Sequence, residues 1–108
     1  MIQLVSNMFI EIHTTTGDIE EAKKIAHTLV EKKLAACVNI HPVVSVYAWE
    51  GKIEEDEEIA LSIKSKSRNF EAIRKVIRSL HSYDLPAIVS KKIEGDPDYL
   101  HWIADSTE

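Results

Sequence analysis

An α+β fold is what the sequence predicts, because the spacing of its apolar residues switches between two periods and a tight-turn signal falls inside one stretch. Apolar residues alternate over residues 8–16, recur at helical spacing from Ala22 to Leu34, and alternate again over residues 36–65 around Glu50-Gly51-Lys52. A second helical stretch, another alternating one and a short final helix give the order β-α-β-β-α-β-α. That order is the split βαβ, ferredoxin-like arrangement: an antiparallel sheet, both long helices on one face, and a long hairpin between its second and third strands.

Each element has a local reason. In residues 8–16, Met8, Ile10 and Ile12 share one face, and Glu11, His13 and Thr15 share the other. Gly17-Asp18 breaks this strand, and Asp18 with Glu21 three residues later reads as a capping box. Ala22, Ile25, Ala26, Leu29, Val30 and Leu34 then mark one face of a helix over residues 18–33. In residues 36–49, Val38, Ile40, Val44, Val46 and Ala48 face one way, and Cys37, Asn39, His41, Ser45, Tyr47 and Trp49 the other. Pro42 removes a donor in mid-strand, so it marks an edge position or a bulge, and a bulge would fold the hairpin back. Gly51 supplies the positive φ of a tight hairpin. The return strand sets Ile53, Ile59, Leu61 and Ile63 against Ala60, Ser62 and Lys64. Ser67 is the expected N-cap of a second helix that turns Phe70, Ile73, Ile77 and Leu80 inward. Tyr83-Asp84-Leu85-Pro86 stops it, residues 87–94 form a last strand, and Asp96-Pro97 opens the short helix.

Residues 8–108 read as one domain, with residues 1–7 as an N-terminal extension or part of the first strand. A charge of −5 argues against a nucleic-acid partner, since affinity for phosphate backbones comes from Lys and Arg. The longest apolar run, residues 34–38, falls far short of the roughly 20 residues a membrane span needs. The single cysteine, Cys37, fits a reducing cytoplasm.

Lengths point to association. A helix over residues 18–33 spans roughly 24 Å, whereas a strand over residues 36–49 spans roughly 46 Å. The far half of the hairpin, with Val44, Val46, Tyr47 and Trp49, therefore overhangs its own helices. Such a ribbon calls for cover from another chain.

Chemistry is sparse. The five histidines show no metal-ligand spacing. His81 ends the second helix, where the dipole favours a cation, and His13 shares a face with Glu11 and Thr15. The run from Glu54 to Glu58 alternates between strand faces, which suits a solvated edge better than a cation site. Three glycines leave no phosphate-cradling loop, and no nucleophile stands with a base, so an enzyme is not expected.

Leu34-Ala35-Ala36-Cys37-Val38-Asn39-Ile40 and Ser45-Val46-Tyr47-Ala48-Trp49-Glu50-Gly51-Lys52-Ile53-Glu54 resemble the CutA family of divalent-cation tolerance proteins. The likeness continues through Leu61-Ser62-Ile63-Lys64, His81-Ser82-Tyr83-Asp84-Leu85-Pro86 and Asp98-Tyr99-Leu100-His101-Trp102-Ile103. It implies a homotrimer like the PII signalling proteins and tolerance to copper or other divalent cations, without established catalysis. Family copper ligands, a cysteine ending the first strand and two histidines ending the second helix, fall here on Thr14, Leu80 and His81. His81 thus remains, with His13 as a substitute donor. The expected metal is Cu(II) or another divalent cation, bound weakly and not obligatory. The alternative is a small-molecule sensing trimer with intersubunit clefts lined by Tyr47, Trp49, Lys64 and Tyr83.

Overall fold

The computed structural model describes residues 8–108; the extension expected at residues 1–7 lies outside the described residues. Strand β1 (Phe9–Thr16) leads into helix α1 (Ile19–Glu31), strands β2 (Cys37–Trp49) and β3 (Lys52–Lys66), helix α2 (Phe70–Leu80), strand β4 (Ile88–Lys92) and helix α3 (Pro97–Ser106). The sheet runs β2-β3-β1-β4 and is antiparallel throughout. The expected ferredoxin-like order is therefore the observed one.

Helix ends follow the side chains that satisfy free amides. Asp18 accepts the Glu21 amide at 2.8 Å, the N-cap half of the expected capping box, while the Glu21 carboxylate turns to the Ser82 amide and His81. Asp96 accepts the amides of Asp98 and Tyr99 ahead of Pro97. Ser67 is not the α2 cap: Ser67–Asn69 form a 3-10 turn, and α2 starts at Phe70 after Asn69. The last strand is also shorter than residues 87–94, because only Ile88–Lys92 pair with β1.

Two apolar clusters occupy the two faces of the sheet. Ile10, Ile12, Leu61 and Ile63 meet Ala22, Ile25, Leu29, Ile73 and Ile77 under the two long helices. Each such buried isoleucine or leucine contributes roughly 1.5–3 kcal/mol. Val30 was expected on this stripe but is exposed, since the apolar face of α1 is centred on Ile25, Ala26 and Leu29. On the opposite face, Phe9 packs under Leu100 and Ile103 of α3. Lys66 Nζ donates to the Ala104 and Thr107 carbonyls and ties down the end of that helix.

The hairpin is one unbroken ladder from Cys37↔Lys64 to Trp49↔Lys52. Pro42 introduces no bulge; it is accommodated because β2 is an outer strand. Glu50 (φ 49°) and Gly51 (φ 80°) make a two-residue turn with both residues left-handed, the geometry that matches strand twist. Pairing with β1 stops at Thr16↔Ile59. Beyond it, residues 43–58 form a two-stranded ribbon, and the molecule measures 53 × 24 × 21 Å.

Candidate functional site

Cross-strand partners share a face, which sorts the side chains of the ribbon. Val44, Val46 and Ile53 continue the face that the helices cover in the body, whereas Tyr47, Trp49, Glu54, Asp56 and Glu58 lie on the other face. Val44, Val46 and Ile53 are 65%, 64% and 76% exposed. The overhang expected from element lengths is present.

The acidic run is largely solvated, with Glu55, Asp56 and Glu57 exposed, and two of its carboxylates also hold partners. The Tyr47 hydroxyl donates to Asp56, and the Tyr83 hydroxyl donates to Glu58 Oε2 at 2.8 Å. The hydrogen bond to Asp56, above all, pushes the Tyr47 phenol up to about 12. Partial burial first, then Glu58, raises the Tyr83 phenol well above its ordinary range. Two of the five acids thus hold neutral phenols in place.

His81 sits where the sequence places it, at the C-terminal end of α2, but its ring does not cap that helix. Nε2 meets the Thr15 carbonyl at 2.7 Å. A carbonyl only accepts, so Nε2 carries the proton and Nδ1 is free to accept the Tyr83 amide at 3.1 Å. Glu21 Oε2 lies 3.3 Å from Nδ1, and the His81 side chain has no solvent exposure. Glu21 is the residue that sequence reasoning missed. It lies sixty positions from His81, and only its role in the α1 capping box was legible.

The structure does not bring His13 to His81. His13 is exposed and alternates with Ile12 and Thr14, which point into the helix-covered core, whereas His81 arrives from the helix side. Thr14, where the family resemblance implies a cysteine, is fully buried, and its hydroxyl has no hydrogen-bond partner among the described residues. Among the described residues, no three His, Cys, Asp or Glu side chains gather closely enough to hold a metal ion. One chain therefore offers a His81–Glu21 pair, not a closed metal site.

Of the expected cleft, Tyr47, Trp49 and Lys64 share the sheet face that the long helices leave open, and Tyr83 reaches the same stretch through Glu58. Lys64 donates to Asn39 at 3.0 Å. It stands twelve positions along β3 from Lys52, the partner of Trp49, roughly 40 Å at 3.3 Å per residue. A single chain cannot bring these residues into one cleft. Among the described residues, no helix is long and apolar enough to cross a membrane.

Fold and side chains together define a ferredoxin-like domain that carries a protruding β-ribbon. The family model described as CutA1 divalent ion tolerance protein matches residues 10–106. The divalent-cation tolerance protein CutA of Archaeoglobus fulgidus is 45% identical over 98 residues, covering 90% of this chain and 96% of its own. Mouse CutA is 46% identical over 89 residues, 81% of this chain, which spans only half of the mouse protein. A solved structure of the Archaeoglobus fulgidus CutA, described as periplasmic, superposes with a TM-score of 0.91 at 43% identity. It covers 94% of this chain and 100% of that one. This chain belongs to the CutA family of divalent-cation tolerance proteins.

Proposed function

We propose that the chain is a cytoplasmic, homotrimeric metal-response protein that binds Cu(II) or another divalent cation weakly and catalyses no reaction. The observation that carries the metal reading is the 3.3 Å His81–Glu21 pair in a family named for divalent-cation tolerance. Imidazole nitrogen and carboxylate oxygen both suit first-row divalent ions. Two donors make a weak site, and a cation at Nδ1 must displace the Tyr83 amide. His13 enters this proposal as a donor from a second copy, because it leaves β1 by the opposite face. With Thr14 in place of a thiolate, the site favours Cu(II) over the softer cuprous ion. The lone cysteine and the charge of −5 support a cytoplasmic role without nucleic acid.

Calorimetric titration with Cu(II) tests the ligands. His81→Ala is expected to abolish binding, and Glu21→Gln, which removes the second donor itself, to weaken it by at least about tenfold, the lower end for loss of even a supporting group. Unchanged affinity in His81→Ala would remove the metal reading. The exposed ribbon supports the trimer: sedimentation at low micromolar concentration is expected at about three times the chain's 12.2 kDa, and a stable monomer overturns it.

The second reading, a small-molecule sensor, is favoured by the common face of Tyr47, Trp49 and Lys64. Their separation along the hairpin requires that such a cleft form between copies. Quenching or enhancement of Trp49 fluorescence by a nucleotide panel, with no response to Cu(II), would select it over the metal reading.

A further inference from the structure

The segment leaving α2 reaches three elements within three residues. His81 Nε2 donates to Thr15 at the end of β1, the Ser82 amide donates to Glu21 in the first turn of α1 at 3.4 Å, and the Tyr83 hydroxyl donates to Glu58 at 2.8 Å. The His81 and Tyr83 rings pack against each other with centroids 4.7 Å apart. The Tyr83 ring also lies over Gly17, where an added Cβ would meet the phenolic oxygen at 3.4 Å and a ring carbon at 3.7 Å.

Glu58 is the first residue of β3 beyond Ile59, where pairing with β1 ends. From there outward, the ladder joins the ribbon only to itself. The ribbon root is also separated from the start of α1 by an open groove of about 630 Å³, lined by Asp18 and Ile19 on one side and Pro42, Val44 and Glu57 on the other. The root therefore has room to tilt on that side.

We propose that residues 81–83 form a strap that fixes the angle at which the ribbon leaves the body, with Tyr83 as its positioning residue. The ribbon extends seven residue pairs past Ile59, roughly 23 Å. A rotation of about 15° at the root, a size known for hinged or rigid-body transitions, carries the tip about 6 Å, more than the width of an apolar contact. Release of the strap thus moves Trp49 and Ile53 out of reach of any surface they pack on. That consequence for assembly rests on the trimer proposed above; the strap itself does not.

Hydrogen exchange read by mass spectrometry on the full chain tests it, in wild type, Tyr83→Phe, Glu58→Ala and the double variant. Amides of residues 53–58 are expected to exchange about three- to tenfold faster in each single variant, the scale of one lost solvent-accessible hydrogen bond. The double variant should be no faster than the faster single, because both changes remove the same bond. Amides of β1 and α1 should keep wild-type rates. Wild-type rates over residues 53–58 in both singles, or effects that multiply in the double variant, overturn the strap. Should Tyr83→Phe fail to fold, Glu58→Ala against wild type decides alone. Sedimentation of the wild type separates the readings: a monomer with the expected exchange pattern removes the trimer and keeps the strap.

Discussion

The same two strands build both the body and the ribbon, in one register, yet the two regions meet different surroundings. In the body, Leu61 and Ile63 of β3 are fully buried beneath α1 and α2. On the same face of the ribbon, Val44, Val46 and Ile53 stand mostly in water. Alternation specifies a strand and its faces; it does not specify what covers them. The body carries its own cover in its helices, and the ribbon has no such cover among the described residues.

The largest effect that tests this contrast is a matched pair of truncations. Ile63→Ala should cost about 2–5 kcal/mol, the range for emptying a packed core site, at every protein concentration. Val46→Ala should leave the stability of the dilute chain nearly unchanged and act through association, so that its effect grows with concentration. Urea unfolding at two concentrations a hundredfold apart reads both. Equal and concentration-independent losses would show that the ribbon is stabilised within the chain, and the contrast would fail.

What was legible in the sequence follows the same division. Periodicity and caps act within a few residues, and they placed β1, α1, the hairpin turn and α3 correctly. Ser67 misled as a cap because a 3-10 turn intervenes before Phe70, and nothing local separates the two kinds of start. Val30 sits at the margin of a narrow apolar stripe, where spacing alone cannot decide burial. The acidic run is largely solvated, as expected, but its phenolic partners, Tyr47 and Tyr83, were not legible because they come from elsewhere in the chain. Glu21 beside His81 and the unpaired Thr14 hydroxyl were invisible for the same reason: both depend on contacts between distant segments.

A middle-sized effect sharpens the picture of the body. Thr14 is fully buried with its hydroxyl unpartnered among the described residues, an arrangement that costs about 1–3 kcal/mol. Thr14→Val keeps the shape and removes the hydroxyl, so it should stabilise the chain by about 1 kcal/mol in urea or thermal unfolding. A loss of stability would mean that the hydroxyl is satisfied in solution, by a water molecule for instance, and that this part of the body is less dry than the packing implies.

The smallest effect lies on the open face of the body, where polar groups do what helices do on the other side. The Glu11 carboxylate accepts from the Ser62 hydroxyl and lies 3.4 Å from Lys91 Nζ. The Ser62 hydrogen bond, and then Lys91, hold its carboxyl below the ordinary value of 4.5. A carboxyl whose folded-state pKa is depressed adds stability that is fully present above its unfolded value. That stability is lost as pH falls from about 4.5 through the folded value. Glu11→Gln cannot titrate, so its stability should fall less steeply over that acid window. The difference should stay below about 1 kcal/mol, because Glu11 is partly solvated and Lys91 largely exposed. Urea midpoints measured from pH 6 down to about pH 3 decide the matter: identical slopes for both proteins would mean that Glu11 is as well hydrated in the folded chain as in the unfolded one, and that its bonds to β3 and β4 add nothing to the sheet.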